Sequence, residues 1–491
     1  MQQRRPVIVG VGQMVNKDDD RIISPLDGIE AAVHAAVEDG GRSALEHVGT
    51  LYLAPPWIHG SDDAATELGE RLGLRPGKRH VGLFSGSTPL ELLGLACAEI
   101  SDGELDSAII AGGVADASVM RARKRDLEPP SCMSADWTWD ASTRKRTAET
   151  TAGLNSAGAN FAMAESQLAF RAGRTPAEQR EWLGTVMAPF TEVAARRPDR
   201  AWFPVSREPG AISGVSKGNR LVTEPYTKLM NSFPNVDQAA AILVMSSELA
   251  DRLRVPDSQR VYPRSIAKCH EPFYPSGRQE IHAPGALAAA AARALEGAAL
   301  EAGDISRFDL YSCFPAAVQL EAAALGLDVT DSRGLTVTGG LPYFGGPGSA
   351  YVAHSIATMV ELCRADPGSI GALVGVGGLV SRFAVGTIST DPGDRAFRYD
   401  PCTDVEERLA AEGVEVDLDA EGVAVVEAMT VLHEREAGPV AAPVFARFPD
   451  GRRTGARLLH PELAPDLCGH SLIGRDVRIV LGDDGPRYDP R

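Results

Sequence analysis

Apolar and polar residues follow two different patterns along this chain, continuous apolar runs and helical spacing. Residues 6–11 (PVIVGV) and 107–113 (SAIIAGG) are short runs without the polar alternation of a half-exposed strand, as is typical of strands buried on both faces. Elsewhere, as over 26–37, apolar residues recur at helical spacing behind a Ser-Pro pair, Ser24-Pro25, which predicts a capped helix. Strands that alternate with helices in this way predict parallel sheets covered by helices, the α/β class.

The same order of elements occurs twice. Residues 85–100 (SGSTPLELLGLACAEI) form a Gly/Ser-rich elbow and a helix, followed by a turn and a buried strand that ends in Gly-Gly. Residues 345–362 (GGPGSAYVAHSIATMVEL) form a second elbow and helix, and the strand 372–378 (ALVGVGG) follows them. A matched order of elbow, helix, turn and strand indicates an internal duplication.

The remaining segments have a different composition. Residues between the halves carry basic clusters at 121–125 and 144–146, and short strand patterns separated by turns follow a polar, acidic stretch near the C-terminus. The latter pattern predicts a small antiparallel barrel. The predicted organisation is a first half at 1–117 and 236–262, an inserted loop domain at 118–235, a second half at 263–390, a linker at 391–418 and a barrel at 419–491.

Composition narrows the classes of function. The chain has 491 residues and a net charge of −17, which disfavours nucleic acid as a partner. Its seven cysteines include no CxxC pair, so the sequence predicts neither a disulfide framework nor a metal site, and scattered thiols fit a reducing cytoplasm. We also expect no membrane span, because no run of 18 apolar residues occurs.

Several segments together resemble the thiolase superfamily, and its sterol-carrier-protein thiolase branch in particular, over residues 6 to about 388. These segments are 85–113, 219–246 (NRLVTEPYTKLMNSFPNVDQAAAILVMS), 310–314 (LYSCF), 339–350 (GGLPYFGGPGSA) and 374–378 (VGVGG). The resemblance implies a duplicated five-layer αβαβα thiolase fold whose inserted loop domain covers an acyl-CoA site. The C-terminal segment resembles the additional domain of thiolase-like proteins of type 1, so a small barrel is expected there.

The resemblance also locates the positions at which thiolases carry their chemistry. The family uses a nucleophilic cysteine, a histidine that activates it, a second cysteine and an Asn or His in a loop motif. The nucleophile corresponds to Gly86, or to Ser85 or Ser87 if the elbow shifts by one residue. The loop residue, the histidine and the second cysteine correspond to Tyr311, Gly346 and Gly375. With these substitutions, ordinary thiolysis or Claisen activity is not expected.

Two interpretations apply to the side chains that remain. Around the elbow, Thr88 as N-cap with Glu91 three residues on is interpreted structurally as a capping box, and the alternative is a chemical role for Ser85 or Ser87. Tyr311 and Tyr343 resemble the tyrosines of cysteine-free thiolase-fold proteins that cleave steroid side chains by retro-aldol chemistry, but both also suit a pocket-filling role. Cys269-His270 lies on a strand, so its side chains should point to opposite faces.

Basic side chains of the inserted segment have two interpretations as well. They either line a solvated surface or contact the phosphates of coenzyme A. The phosphate-binding candidates are Arg121, Arg123, Lys124, Lys217 and Arg220.

Three functional hypotheses follow from the resemblance. The first is an acetyl-CoA acetyltransferase-type protein of lipid or sterol metabolism that binds an acyl-CoA or related thioester as a pseudoenzyme, with no covalent cofactor. The second is a retro-aldol lyase that uses Tyr311, and the third is a non-catalytic interaction scaffold. We expect a monomer rather than a dimer, because Lys78, Arg79 and His80 place charge on the strand through which thiolases usually pair.

Overall fold

The computed structural model describes residues 4–56, 63–74, 77–130 and 146–490. Part of the basic cluster at 144–146 and Cys132 therefore lie outside the described residues. Within the described ranges, each helix is too short or too polar to cross a lipid bilayer.

The strands of the described residues are named in chain order. They are β1 (Pro6–Val15), β2 (Thr50–Ala54), β3 (Lys78–Val81), β4 (Ser107–Ala115), β5 (Leu221–Thr223), β6 (Tyr226–Thr227), β7 (Asp237–Ser246), β8 (Tyr262–His270), β9 (Arg307–Asp309), β10 (Ile370–Gly377), β11 (Arg382–Ser389), β12 (Arg398–Asp400), β13 (Gly422–Met429), β14 (Leu432–Glu434), β15 (Gly438–Ala441), β16 (Val444–Arg447), β17 (Arg453–Leu458), β18 (Asp476–Gly482) and β19 (Gly485–Asp489).

The α-helices follow the same convention. They are α1 (Pro25–Gly40), α2 (Ala64–Arg71), α3 (Thr88–Ser101), α4 (Asp116–Lys124), α5 (Ala148–Ala152), α6 (Ala157–Arg171), α7 (Pro176–Ala195), α8 (Pro209–Ser213), α9 (Ser247–Arg252), α10 (Gly285–Ala298), α11 (Pro315–Ala324), α12 (Tyr351–Ala365) and α13 (Thr403–Ala411). The start of α1 is as predicted, since Ser24 caps it in a capping box with Asp27 and Pro25 is its first residue.

The first half forms a five-stranded sheet in the order β1-β7-β4-β2-β3. β2 is parallel to β3 and β4, as the sequence predicts, but β7 is antiparallel to both of its neighbours. The expectation of all-parallel sheets is therefore wrong. The inserted segment leaves the sheet at Ala115 and returns at Asp237, directly opposite, so β7 has to run back along β4.

The second half repeats this arrangement. Its sheet has the order β12-β8-β11-β10-β9, and β8, β11, β10 and β9 match β1, β7, β4 and β2 in both order and direction. The duplication inferred from the sequence is confirmed. Residues 398–400, which were assigned to a linker, form β12 and extend this sheet by pairing with β8.

Helices α3 and α12, which follow the two elbows, lie between the sheets and contact each other. α1 covers the outer face of the first sheet and α10 covers that of the second, which completes the five layers predicted from the resemblance. Buried apolar side chains of both central helices join one large core with both sheets. The two elbows are thereby held at the centre of the molecule.

The C-terminal segment folds into the predicted barrel, in which β13-β16-β17-β19-β18 close on themselves. One neighbouring pair, β17 and β19, is parallel, so the barrel is not entirely antiparallel as expected. A closed ring with an odd number of strands cannot alternate in direction throughout, and one parallel pair is the necessary result.

The barrel is joined to the rest of the chain by backbone pairing and by a buried arginine. The β14–β15 hairpin leaves the barrel and forms a second small sheet with β5 and β6 of the inserted segment. Arg453 of β17 is buried and donates hydrogen bonds to the backbone oxygens of Ser276 (2.7 Å) and Arg278 (2.5 Å). Moving the barrel away from residues 276–278 would break hydrogen bonds of a buried guanidinium, which favours a fixed position for the barrel.

The central helix α12 carries a fully buried histidine. Nδ1 of His354 lies 2.8 Å from Oε1 of Gln13, and burial, together with the nearby charge of Arg200, lowers its pKa to about 3. The imidazole is therefore neutral in the folded protein and packs against the ring of Phe344. This agrees with a structural role for His354.

The first prediction concerns this histidine. Because the folded pKa lies below the unfolded value of about 6.5, the unfolded chain takes up the proton first as the pH falls, so stability is lost from pH 6.5 towards pH 3. Between pH 7.5 and pH 5 this amounts to about 2 kcal/mol of unfolding free energy. Denaturant unfolding at both pH values should show a loss that is about 2 kcal/mol smaller in His354→Gln than in the wild type or in His34→Gln, on the exposed face of α1. An equal loss in all three proteins would contradict the assignment.

Candidate active site

The elbow before α3 packs directly against the loop that follows β9. A Cβ atom added to Gly86 would lie 2.3 Å from the Tyr311 hydroxyl oxygen and 2.3 Å from the Val376 backbone oxygen. Real Cβ contacts are essentially never that short. The Tyr311 hydroxyl therefore occupies the space into which a larger residue at position 86 would place its side chain.

The other two glycines singled out from the sequence are enclosed in the same way. A Cβ atom on Gly346 would lie 2.1 Å from Oγ of Ser232, and one on Gly375 would lie 2.8 Å from Cα of Ser87. The structure thus brings Gly86, Gly375 and Tyr311 together, whereas Gly346 faces Ser232. Neighbouring residues already fill the space beside each glycine, so none of them leaves a void.

Tyr311 is held as a neutral phenol. Its side chain is almost fully buried, and burial raises its pKa well above the usual range, with Cys313 and Glu321 adding to the effect. Its backbone N–H donates to Oε2 of Glu321 (2.7 Å), and its ring packs edge-on against Tyr351, with 5.6 Å between the centroids. A phenol in this state is a hydrogen-bond donor or an acid, not a base.

A polar chain behind Tyr311 was not predicted from the sequence. The Tyr351 hydroxyl lies 2.5 Å from Oγ1 of Thr338, which donates in turn to Oδ1 of Asp309 (3.1 Å). Burial raises the pKa of Asp309, although hydrogen bonds from the neighbouring loop oppose that effect. These residues come from three separate segments, and only the fold places them side by side.

A second unpredicted group lies at the start of α3. The predicted capping box is wrong: Ser87 is the N-cap residue, its hydroxyl donates to the Glu91 carboxylate (2.5 Å), and its oxygen accepts no capping hydrogen bond from the helix backbone. Glu91 Oε1 lies 3.6 Å from Nε2 of His270. Burial by itself would raise the pKa of Glu91, but the contacts with His270 and Ser87 outweigh it and the pKa is lowered. Ser85 joins the group, since its hydroxyl lies 2.7 Å from that of Ser87.

His270 shows what the sequence could and could not indicate. As expected for adjacent strand residues, Cys269 faces the other way, where its thiol contacts Cys402. The alternation of side chains along a strand therefore correctly predicts that Cys269 and His270 diverge, but it does not connect His270 with the elbow. The available signal was Glu91, one helical turn beyond Ser87 and on the same face of α3.

Tyr343 occupies a different setting from Tyr311. It is fully buried, burial raises its pKa, and within the described ranges its hydroxyl has no hydrogen-bond partner. The Arg207 guanidinium lies 5.9 Å from the centre of its ring. Tyr351, rather than Tyr343, is the ring that packs against Tyr311.

The phosphate-binding candidates fall into two groups on different elements. On α4, Arg121 is mostly buried and forms an ion pair with Asp237 (2.6 Å), which ties α4 to β7, while Arg123 and Lys124 are exposed. In the loop before β5, Lys217 is exposed and Arg220 is partly buried, with its guanidinium donating to the Leu221 backbone oxygen (2.8 Å). The ion pair with Asp237 gives Arg121 a structural role that requires no phosphate ligand.

Residues 404–485 match the family described as the thiolase-like protein type 1 additional C-terminal domain. The chain is similar to the crystal structure of a monomeric SCP2-thiolase like protein type 1 from Mycobacterium smegmatis, with 29% identity, a TM-score of 0.85 and 100% of each chain covered. The dimeric peroxisomal thiolase of Saccharomyces cerevisiae is 15% identical, with a TM-score of 0.59, 80% of this chain and 98% of that chain covered. The Ltp2-ChsH2(DUF35) aldolase is 18% identical, with a TM-score of 0.60, 78% of this chain and 97% of that chain covered. No curated protein matches the sequence.

These findings define the class of protein: a thiolase-fold α/β protein with a small barrel fused to its C-terminus. Within that class, the chain is similar over its whole length to SCP2-thiolase-like protein type 1, and it carries the additional C-terminal domain of thiolase-like protein type 1. The resemblance inferred from the sequence is confirmed.

The second prediction tests the packing at Gly86. Gly86→Ala should lower the free energy of unfolding by about 1–3 kcal/mol, because the new methyl group overlaps the Tyr311 hydroxyl. In Gly86→Ala/Tyr311→Ala the overlap with the tyrosine is removed, so the double variant should lose less stability than the sum of the single variants. Gly303→Ala, where a Cβ meets open space, is the control and should change stability by less than about 0.5 kcal/mol. Strictly additive losses at positions 86 and 311 would contradict this geometry.

Proposed function

We propose that this protein binds an acyl-CoA or a related thioester in lipid or sterol metabolism and does not carry out thiolysis. The observation that most directly supports the absence of thiolysis is the Tyr311 hydroxyl beside Gly86, where the resemblance to thiolases places the nucleophile. A serine at the elbow does not replace a thiol here. Ser87 donates a hydrogen bond to Glu91, but Ser85 and Ser87 are themselves buried, and the resemblance places Gly346 at the position of the activating histidine.

The contacts proposed for the thioester use groups that the fold leaves available. Arg123, Lys124, Lys217 and Arg220 carry positive charge for the phosphates of coenzyme A, while Arg121 is committed to Asp237. The N-terminus of α3 presents backbone N–H groups and the positive end of a helix dipole towards the elbow, which suits a carbonyl or carboxylate oxygen. The Tyr311 phenol supplies a further donor beside it.

We further propose a monomer in the cytoplasm. β3 lies at the edge of the first sheet and carries Lys78, Arg79 and His80, and charge at an edge strand opposes pairing with a second sheet. The similar protein from Mycobacterium smegmatis is described as monomeric, which supports the same state here.

The third prediction is a binding experiment with the full chain. Thermal unfolding in the presence of CoA, acetyl-CoA and a long-chain acyl-CoA should show a higher melting temperature, since a ligand at 100 times its Kd adds about 2.7 kcal/mol to the folded state. Lys217→Ala/Arg220→Ala should reduce that shift, whereas Arg478→Ala, on an exposed position of the barrel strand β18, should not. The same protein should not consume 3-ketoacyl-CoA and CoA.

Two outcomes separate the hypotheses. No shift with any CoA compound would favour an interaction scaffold over a thioester-binding protein. Consumption of 3-ketoacyl-CoA at ordinary thiolase rates would show that the correspondence of Gly86, Gly346 and Gly375 with the thiolase catalytic positions is mistaken.

A retro-aldol lyase is the second candidate function. In such a reaction the Cα–Cβ bond of a β-hydroxyacyl thioester breaks, the hydroxyl proton leaves as a carbonyl forms, and Cα takes up a proton. A buried phenol that stays protonated, such as Tyr311, suits the donor to the developing enolate oxygen. Similarity in fold to the Ltp2-ChsH2(DUF35) aldolase supports this alternative at the level of the scaffold.

The fourth prediction addresses this alternative. If the protein is a lyase, it releases an aldehyde or ketone from β-hydroxyacyl-CoA, and Tyr311→Phe lowers kcat about 10²–10³-fold because one oxyanion donor is lost while the ring still fills its place. Tyr488→Phe, which removes another buried hydroxyl within the barrel, should leave the rate unchanged. Carbonyl release that is insensitive to Tyr311→Phe would exclude the proposed role of this phenol.

A further inference from the structure

Three side chains of the types that bind metal ions come from distant parts of the chain and lie together where the β14–β15 hairpin joins the inserted segment. Glu224 lies between β5 and β6, His433 lies on β14, and Cys468 follows the short helical turn Pro465–Leu467 of the barrel domain. One ligand atom from each, a carboxylate oxygen, an imidazole nitrogen and Sγ, lies within 4.8 Å of the other two.

The backbone around these side chains fixes their positions. The Glu224 N–H donates to the Val431 backbone oxygen (2.9 Å), and the Thr430 hydroxyl donates to the Glu224 backbone oxygen (2.9 Å). The Glu224 carboxylate accepts a hydrogen bond from the N–H of Gly469 (3.1 Å), the residue after Cys468. The inserted segment, the hairpin and the barrel loop therefore hold the three groups in one place without any ligand.

The imidazole of His433 has a nitrogen atom that is suited to binding a metal ion. Its Nε2 atom is buried, and among the described residues it has no hydrogen-bond partner. A buried nitrogen without a partner is unfavourable, whereas neutral imidazole is the commonest protein ligand for a transition metal. The thiol of Cys468 is also weakly engaged, with Sγ 3.7 Å from the Ala464 backbone oxygen.

Glu224 and Cys468 can supply the negative charge that balances a divalent cation. Glu224 is nearly fully buried, and burial raises its pKa, although the Gly469 N–H and the charges of Arg180 and His470 oppose that effect. Burial and the neighbouring carboxylate raise the pKa of Cys468 to about 11. Arg220 adds positive charge near His433, but a thiolate and a carboxylate together would neutralise a divalent ion. A bound metal deprotonates a ligating thiol outright, so Cys468 would bind the ion as a thiolate despite its raised pKa.

We propose that Glu224, His433 and Cys468 bind one Zn²⁺ ion, which fastens the inserted segment to the C-terminal barrel. Sulfur, imidazole nitrogen and carboxylate oxygen are the donor set that Zn²⁺ takes in tetrahedral sites. Ligand atoms in such a site lie about 3–4 Å apart, so a small closure of the three side chains is enough. A cavity of about 30 Å³ lies beside Glu224 and is also lined by His470, so it has room for a water molecule next to the carboxylate.

The test uses the full chain after treatment with a chelator and dialysis. Titration with ZnCl₂, followed by elemental analysis, should give one tightly bound Zn²⁺ per chain and a higher melting temperature. Cys468→Ser, His433→Gln and Glu224→Gln should each weaken Zn²⁺ binding at least tenfold and abolish the thermal shift. His460→Gln, another histidine of the barrel domain that pairs with Glu462, is the matched control and should behave as the wild type.

Cobalt provides a readout that does not depend on stability. Co²⁺ bound by the wild type should show the near-ultraviolet thiolate-to-metal absorption band, which Cys468→Ser should lose while Glu224→Gln shifts the visible bands. If Cys468→Ser does not fold, the wild-type Co²⁺ spectrum and the isosteric Glu224→Gln variant still decide the question. No Zn²⁺ binding by the wild type at micromolar concentrations, binding unaffected by the three substitutions, or a Co²⁺ spectrum without the thiolate band would overturn the proposal.

Discussion

The Tyr311 hydroxyl packs 2.3 Å from the point where a side chain at position 86 would begin, and the rest of the elbow is arranged around that approach. Because residue 86 is glycine, the tyrosine can reach the backbone between Ser85 and Ser87, and Val376 closes the same space from β10. A sulfur atom at this position and the phenol at its observed position exclude each other sterically. The chemistry open to the site is therefore that of a buried hydroxyl donor, in surroundings that keep it protonated.

The low polarity of the layer between the sheets keeps the Tyr311 hydroxyl protonated and strengthens its hydrogen bonds. Burial moves the pKa of His354 down and that of Glu321 up, so in both cases the neutral form is favoured. Water cannot compete for hydrogen bonds there, and a donor such as Tyr311 is stronger than it would be at the surface. The Ser87–Glu91–His270 group is the exception, because hydrogen bonds from His270 and Ser87 lower the pKa of Glu91 and keep its carboxylate ionised despite burial.

The barrel is built into the thiolase-fold body. Arg453 reaches the backbone of Ser276 and Arg278, and the β14–β15 hairpin completes a sheet with the inserted segment. Residues of the inserted segment that carry the basic candidates Lys217 and Arg220 lead directly into β5, which pairs with the hairpin. The barrel is therefore joined directly to the inserted segment.

The sequence by itself determined the α/β class, the duplication, the start of α1 and the existence of the barrel, because these depend on local apolar periodicity and on turn residues that neighbours in the chain can signal. It also singled out Gly86 and Tyr311, through motifs that resemble a known family. Only the tertiary structure decided that the Tyr311 hydroxyl fills the space beside Gly86 and that the Ser87 hydroxyl donates to Glu91 without capping the helix backbone. It also decided that β7 and β11 run antiparallel to their neighbours and that Glu224, His433 and Cys468 lie together. Such contacts join residues tens to hundreds of positions apart, and their geometry depends on how sheets and loops pack, which periodicity along the chain does not encode.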